Sequence, residues 1–293
     1  MVDITHFANF LSLFVISGCD SEWKPGDIDT HYLKINILGE GRVEPTEGEY
    51  ERKSKVELIA EAERMNFYRW EGEVTVTDEE SISIMVDDDK EVTVIFIEED
   101  NKEGFAGWEG TEDKPFLIKD VEELKNVRDY LGVNFVLIDD LDLSTINNWE
   151  PIGEFEFVDD DYEYEPFSGT FDGRGHKIIN LTINHPSDDA VGLFAIVKGA
   201  LIKDVDLLDV SVEGKSYVGA LTGISHEAST IERCSSTGEV SAEIMVGGLV
   251  GTNAGNIISN SYSEAEILGT GHYLESLEHP FYVANAGGLV GGE

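Results

Sequence analysis

The amino-acid sequence predicts an all-β fold in which a small antiparallel β-domain precedes a β-solenoid. Three observations support this prediction. Residues 31–98 alternate apolar and polar side chains with a period of two, as half-buried strands do. A glycine-rich word recurs four times after residue 190. The chain also holds 30 glycines but only 7 prolines, a balance that favours short strands joined by tight turns.

The alternation of the first domain is clearest in the segments HYLKINIL, KVELIAEA, SISIMV and EVTVIFI. Phe67 and Trp70 lie between the second and third segments and are predicted core aromatics. The marks GEGRVEPTEGEY, LIAEAERMNFYRWEGE and MVDDDKEVTVIF make residues 31–98 resemble the divergent internalin-type B-repeat of bacterial surface proteins. That resemblance implies a spacer or adhesion module and brings no catalytic residues.

The glycine words lie at regular intervals. The first three start 27 and 28 residues apart, and the last gap of 40 residues contains an insert at 271–282. This period fits one coil of a β-solenoid, in which each coil buries its inward side chains against the next. The words are VGLFA at Val191, VGALTG at Val218, VGGLVG at Val246 and AGGLVGG at Ala286.

The third word, in MVGGLVGTNAG, could be mistaken for a phosphate-binding loop. A Walker-type loop needs Lys and then Ser or Thr after its last glycine, whereas Gly251 is followed by Thr252 and Asn253. The word also recurs one coil away on either side, so a structural bend is predicted. Cys234 occupies the place of Val205 in the element between words, which predicts a small buried residue rather than a nucleophile.

The solenoid half carries a second resemblance. The words together with GTEDKPFLIKDVEEL, WEPIG and FSGTFDGRGHKIINLTI make residues 107–293 resemble the GLUG-motif family. The resemblance implies a right-handed β-helix on extracellular bacterial proteins, and GLUG motifs also accompany IgA-specific zinc metallopeptidases as non-catalytic segments. We assign residues 99–110 to a linker and 111–293 to the solenoid. Because the chain stops directly after the last word, truncation of the solenoid at its C-terminus is expected.

One amphipathic helix is predicted at 121–131, ahead of the repeats. Asp120 and Glu123 form a capping-box-like start, and Gly132 marks the end. Apolar residues recur at helical spacing between them. Since an uncovered solenoid end exposes strand edges, this helix is expected to cap the first coil.

The N-terminus contains a short apolar run, residues 7–16, that is followed by Ile16-Ser17-Gly18-Cys19. These four residues resemble a bacterial lipobox. The resemblance implies a lipoprotein signal peptide at 1–19, lipid attached to Cys19 and anchoring at the cell surface, with 20–30 as a tether. The first six residues hold Asp3 and no Lys or Arg, which departs from the pattern and leaves the true translation start open. The alternative is a buried N-terminal strand or helix.

The charge is −40, from 20 basic and 60 acidic residues. Such a chain repels phosphate backbones, so no nucleic-acid partner is expected. The acidity is interpreted either as a solubility adaptation or as cation binding. The segment FEFVDDDYEYEPF at 155–167 provides the candidate Ca²⁺ ligands Asp159, Asp160 and Asp161 and the candidate ligand-binding aromatics Tyr162 and Tyr164.

No catalytic residues and no resident cofactor other than a possible Ca²⁺ ion are predicted. The group Asp172, Arg174 and His176 could support acid–base chemistry but is interpreted as a turn entering a strand. The leading hypothesis is a non-catalytic, lipid-anchored surface protein whose solenoid serves adhesion or contact with extracellular matrix, with a glycan or a protein as the ligand. The alternatives are a glycan-active β-helix enzyme and the N-terminal part of a larger secreted zinc metallopeptidase.

Overall fold

A computed structural model describes residues 29–98, 104–158, 161–270 and 286–292. The first unit is a two-layer β-sandwich, in which a four-stranded sheet of order β3-β1-β7-β5 faces a three-stranded sheet of order β2-β4-β6. Its strands are β1 (Thr30–Leu38), β2 (Gly41–Glu44), β3 (Gly48–Glu51), β4 (Ser54–Ala62), β5 (Asn66–Gly72), β6 (Ser81–Val86) and β7 (Lys90–Ile97).

Alternate residues of these strands fill the sandwich core, as their period of two predicts. Trp70 and Phe96 are completely buried there, and Phe67 packs beside both rings. One pair departs from the predicted antiparallel arrangement, because β1 lies parallel to β7. The five strands between them supply the long connection that a parallel pair requires.

The second unit is a β-solenoid of parallel strands, and the all-β fold class is confirmed. Its strands are β8 (Phe116–Ile118), β9 (Phe135–Leu137), β10 (Leu141–Asp142), β11 (Glu154–Val158), β12 (Asp161–Glu165), β13 (Thr170–Asp172), β14 (Lys177–Ile179), β15 (Thr182–Val191), β16 (Phe194–Lys198), β17 (Leu201–Lys203), β18 (Asp206–Val218), β19 (Thr222–His226), β20 (Thr230–Glu232), β21 (Ser235–Gly247), β22 (Val250–Asn253), β23 (Ile257–Ser259), β24 (Tyr262–Ser263), β25 (Glu266–Gly269), β26 (Ala286–Gly287) and β27 (Val290–Gly292).

Three sheets form the faces of the solenoid. Face A has the order β23-β20-β17-β13-β9-β8, and face C has the order β16-β19-β22-β27. Face B contains the long strands β18 and β21, which pair with each other and with the shorter strands beside them. The repeat register is continuous on face A, where Ile202 lies beside Ile231, and Ile231 beside Ile258.

The glycine words form the corner between faces B and C. Val191, Val218 and Val246 are stacked in register there. A Cβ atom on Gly219 would lie 2.6 Å from both Gly251 N and Thr222 O, so neighbouring backbones approach too closely for any side chain. The glycines are therefore required by the shape of the corner, and the prediction of a structural bend is confirmed.

Helix α1 (Val121–Asn126) and a following 3-10 turn (Val127–Asp129) lie at the first coil. Leu124 and Val127 join the main solenoid core, which agrees with the predicted cap. The α-helix ends five residues earlier than the predicted 121–131, because the Val127 N–H already donates to the Leu124 carbonyl in a tightened turn. Asp120 Oδ1 accepts from the Glu123 N–H at 2.9 Å, which is the predicted cap contact.

Glu123 is buried at this helix start, and burial raises its pKa to about 7. Its Oε2 accepts from the Lys119 N–H at 2.6 Å. Since the folded-state pKa exceeds the ordinary value of 4.5, the unfolded chain releases this proton first. The contribution of Glu123 to stability should therefore decrease between about pH 4.5 and pH 7.

The Glu123→Gln variant should keep the carbonyl acceptor and lose the buried charge. We expect its Tm at pH 8 to rise by roughly 5 °C, and its Tm at pH 4 to match that of the parent chain. Thermal unfolding followed by circular dichroism measures both values, with exposed Glu122→Gln as the control. An equal shift at both pH values would show that the charge is not the cause.

Cys234 lies in the solenoid core with 1% of its surface exposed, as its repeat position predicted. Burial raises the pKa of its thiol to about 12, so the thiolate is scarce at neutral pH. In a chain with Cys19 replaced by serine, we expect a thiol-reactive dye at pH 8 to label the folded protein at least 100-fold more slowly than the denatured protein. Rapid labelling without denaturant would contradict the burial.

The β-sandwich is packed against the outer side of face A. Ile95 and Ile97 of β7 meet Leu117 and Val136, which alternate with inward residues of β8 and β9. Ala106 belongs to the same apolar cluster, and Phe105 enters the solenoid core. The described part of the predicted 99–110 linker is therefore packed into the protein.

A partly buried ion cluster borders this apolar contact. The Arg69 guanidinium lies 2.6 Å from Glu71 and 2.7 Å from Asp139 of the solenoid, and it also donates to the Ile138 carbonyl. Tyr68 donates its hydroxyl to the same Asp139 carboxylate. The two units are thus joined by charge-assisted hydrogen bonds as well as by apolar packing.

Glu71 contacts the solenoid directly. Its carboxylate lies 3.2 Å from Arg174 and 3.7 Å from His176. Burial opposes ionisation of Glu71, yet hydrogen bonding to His176 and the charges of Arg174 and Arg69 keep its pKa below the ordinary value. Arg174 lies between strands β13 and β14 with φ at 51°, which confirms the predicted turn at Asp172–His176 and gives it a docking role.

Candidate functional site

Strands β11 and β12 form a hairpin that packs against the outer side of face C. The strands pair in antiparallel register, with Phe155 opposite Tyr164. Phe155 packs on Ile196 and Ile224, which are buried on the outer side of β16 and β19. Apolar burial against the solenoid therefore positions the hairpin.

Five rings from the hairpin and the solenoid form a surface that we call the aromatic platform: Phe155, Tyr162, Tyr164, Tyr217 and His226. Tyr162 stacks on Phe155 with centroids 5.2 Å apart, and Tyr217 meets Phe155 edge-on at 6.3 Å. Tyr164 lies 6.4 Å from the His226 ring. Tyr162 and Tyr164 are 50% and 40% exposed, so both side chains keep solvent-accessible surface beside these ring contacts.

Lys198 adds a cation to the platform. Its ammonium group lies 5.5 Å from the Tyr164 ring centroid, 3.4 Å from the Tyr164 hydroxyl oxygen and 3.3 Å from the Glu227 carboxylate. The hydrogen bond with Tyr164, together with that to Glu227, raises the pKa of Lys198. The platform therefore presents aromatic rings, tyrosine hydroxyls and the Lys198 ammonium group, which is paired with Glu227. This combination is suited to sugar rings and polar side chains.

A groove of about 720 Å³ runs beside the platform and shares Phe155 with it. Arg128 lies in its wall, stacked 4.2 Å over Trp149 and donating to the Glu150 carbonyl. Burial lowers the pKa of Arg128. His185 also lines the groove, 3.1 Å from Asp188. The groove is polar, and both signs of charge line it.

The structure brings some of the predicted site residues together. Tyr162 and Tyr164 lie on the platform. Strand β12 begins at Asp161, whereas Asp159 and Asp160 lie outside the described residues, so the Ca²⁺ assignment stays a prediction. Cys19 also lies outside the described residues.

The sequence did not predict that Phe155, Tyr217, Lys198 and the groove residues belong to one site. They come from different coils and share no sequence motif. One signal was present for Tyr217: the positions before the first three glycine words hold Ala190, Tyr217 and Met245, so Tyr217 is the one aromatic of these three. All three adopt positive φ at the corner, which fixes the direction of the tyrosine ring.

Two features are absent from the part of the chain that the structure describes. Within the four described ranges, no group of three or more His, Cys, Asp or Glu side chains is arranged to hold a metal ion. The same ranges contain no helix of sufficient length and apolar character to cross a membrane.

The fold and the site define the class: a parallel β-solenoid with a β-sandwich docked on one side and an aromatic hairpin on another. Residues 242–268 match the GLUG motif family. They cover the end of β21, the corner glycines and strands β22 to β25. This match confirms the predicted GLUG character for that coil.

Relatives with similar sequences match only part of this chain. A protein of Evansella cellulosilytica described as a Gly-rich membrane protein is 36% identical over 130 residues, which are 41% of this chain and 14% of that protein. Halomucin of Haloquadratum walsbyi is 32% identical over 158 residues, 52% of this chain and 2% of its own length. The immunoglobulin A1 protease of Streptococcus sanguinis is 31% identical over 123 residues, 42% of this chain and 6% of that protein.

A solved structure gives a weaker likeness. The crystal structure of a protein described as an immunoglobulin A1 protease from Bacteroides ovatus is 24% identical, with a TM-score of 0.46. The match covers 55% of this chain and 50% of the other. The chain thus spans a small part of the length of each sequence relative and half of this structure.

Proposed function

We propose that this chain is a non-catalytic surface module that contacts extracellular glycan or protein through the aromatic platform. The observation that carries the proposal is the pair of exposed tyrosines, Tyr162 and Tyr164, on a hairpin that packs Phe155 against the solenoid. Rigid, half-exposed aromatics provide contact area at a low cost in conformational entropy. The similarity to a Gly-rich membrane protein and to halomucin supports a location at the cell surface.

A glycan array probed with the purified chain tests this function. We expect saturable binding to a subset of neutral or amino-sugar glycans without cleavage, because the charge of −40 disfavours anionic ones. The Tyr162→Ala/Tyr164→Ala double variant should bind about tenfold more weakly. Tyr262→Ala provides the matched control, since Tyr262 is 56% exposed on a different face.

Three results would contradict the proposal. Equal losses of glycan binding in the platform double variant and in the Tyr262→Ala control would show that the platform is not the binding site. Cleavage of a bound glycan would instead favour the alternative of a glycan-active enzyme. If neither glycans nor extracellular-matrix proteins on a parallel array bind, the contact function is wrong.

We further propose that Cys19 carries lipid and anchors the chain to the outer side of a bacterial membrane. The support is the resemblance of residues 16–19 to a lipobox. Metabolic labelling with palmitate should mark the wild-type chain and leave the Cys19→Ala variant unlabelled. Equal labelling of both, or of neither, would remove the anchor.

A second candidate function is that of a non-catalytic segment within a larger secreted peptidase. The similarity to the immunoglobulin A1 protease of Streptococcus sanguinis favours it. A His-Glu-x-x-His segment in the reading frame downstream of residue 293 would support this candidate, because zinc peptidases use that spacing. A continuous frame without such a segment would count against it.

A further inference from the structure

Strand β6 forms an open edge of the β-sandwich. It pairs with β4 on one side, and no described strand pairs with its other side. Peptide groups alternate in direction along a strand. The Glu80 carbonyl accepts a hydrogen bond from the Ala60 N–H of β4 at 2.8 Å, and the Val86 carbonyl accepts one from the Lys53 N–H at 2.6 Å. Even-numbered residues of β6 therefore face β4, and Ser81, Ser83 and Met85 direct their N–H groups outward.

A groove of about 690 Å³ runs along this edge. Five consecutive residues of β6, from Ser81 to Met85, line one side of it, and the connection at 73–77 lines the other. The four-stranded sheet has its own edge strand nearby, β5, and that edge differs. The Trp70 N–H of β5 donates to the Thr77 carbonyl at 3.0 Å. The edge of β5 is thus partly closed by the protein itself, while the edge of β6 opens onto a groove.

The groove is strongly acidic. Four carboxylates line it, those of Glu57, Glu73, Glu79 and Asp87. Lys90 is the single cationic side chain among the lining residues of this groove, and it is held by Asp87 at 3.0 Å. A second copy of this chain carries a charge of −40 and would be repelled. The charge therefore favours a cationic occupant.

We propose that the β6 edge binds an extended, lysine- or arginine-rich segment of another protein, which adds a strand to the sheet. Ser81, Ser83 and Met85 supply backbone hydrogen bonds, and the four carboxylates select the charge of the incoming strand. An exposed strand edge can pair unspecifically with other strands. Acidic side chains beside the edge repel acidic strands and so restrict pairing to cationic ones. This site is independent of the aromatic platform.

Fluorescence anisotropy with a dye-labelled eight-residue peptide of alternating Lys and Val tests the proposal on the whole chain. We expect saturable binding that weakens with added salt. A Lys–Pro peptide has the same charge but cannot pair as a strand, and it should bind at least tenfold more weakly. A Glu–Val peptide should not bind. Amide hydrogen exchange at 81–85 should slow when the Lys–Val peptide is bound.

The Ser83→Pro variant removes one outward N–H and leaves the ladder to β4 intact. It should weaken Lys–Val binding at least tenfold, whereas Ser83→Thr should retain binding. If Ser83→Pro does not fold, as shown by its melting curve, the comparison of the Lys–Val and Lys–Pro peptides carries the test. Equal binding of those two peptides would show attraction to acidic surface alone and overturn the proposal, as would absence of binding. Self-association that protects 81–85 would assign the edge to a second copy and likewise overturn it.

Discussion

Replacement of Glu71 by alanine is expected to lower the Tm of the protein by about 10 °C. Glu71 is the buried member of a partly buried ion cluster, and its removal leaves the remaining charges uncompensated, at a cost of about 3 kcal/mol. Here Arg69, Arg174 and His176 would lose their shared carboxylate between the two units. Exposed Glu49→Ala, on β3, is the matched control, and thermal unfolding measures both.

The pH dependence provides a second measurement for the same residue. The folded-state pKa of Glu71 is lowered, so its stabilising effect is present above the ordinary carboxyl pKa of 4.5 and is lost as the pH falls through the folded-state value. The difference in Tm between parent and Glu71→Ala should therefore be largest near neutral pH and shrink in acid. A constant difference across that range would mean that packing, not charge, explains the loss.

Replacement of Gly219 by alanine is expected to have an effect of similar size on the solenoid. The added Cβ would lie 2.6 Å from Gly251 N and Thr222 O and 2.7 Å from Leu249 O. All three are backbone atoms: Gly251 and Leu249 belong to the neighbouring coil, and Thr222 belongs to the same corner as Gly219. Relief therefore requires the coils to separate and the corner itself to open. We expect a loss of about 3 kcal/mol in the free energy of unfolding.

Urea unfolding measures this loss directly. Gly48→Ala is the matched control, because no atom lies within 4 Å of the position that its added methyl group would occupy, and Gly48 has no positive φ. The control should unfold within about 0.5 kcal/mol of the parent. An unchanged midpoint for Gly219→Ala would mean that the corner tolerates a side chain, and the structural explanation of the glycine words would be wrong.

Most of the fold could be predicted because its signals are local and periodic. Alternation at residues 90–97 identified β7, and the recurrence of the glycine words located the corner at which Val191, Val218 and Val246 stack. The corner requires glycine on steric grounds, so the requirement is visible in the sequence. The helix end was predicted less well, since Gly132 suggested a stop that the tightened turn at Val127 had already imposed.

The docking of the two units could not be predicted in this way. Arg69 and Asp139 lie far apart in the sequence, and neither belongs to a repeating pattern. Ile97 and Leu117 lie in separate units, and a strand buried on both sides gives no sign in its sequence of what covers its second side. The contact that joins Tyr217 to the aromatic platform escaped prediction for a similar reason, because Phe155 and Tyr217 meet only through the coil geometry.

The position of the β-sandwich also has a mechanical consequence. A solenoid pulled from one end can unwind coil by coil, because each coil holds only its neighbour. In this protein the segment that joins β7 to β8 includes Ala106, which lies inside the apolar contact. Tension arriving from the sandwich side must shear the whole contact, including the Arg69–Asp139 bond, before β8 can peel away. The docked sandwich is therefore expected to protect the first coil from unwinding when the chain is pulled from its N-terminal side.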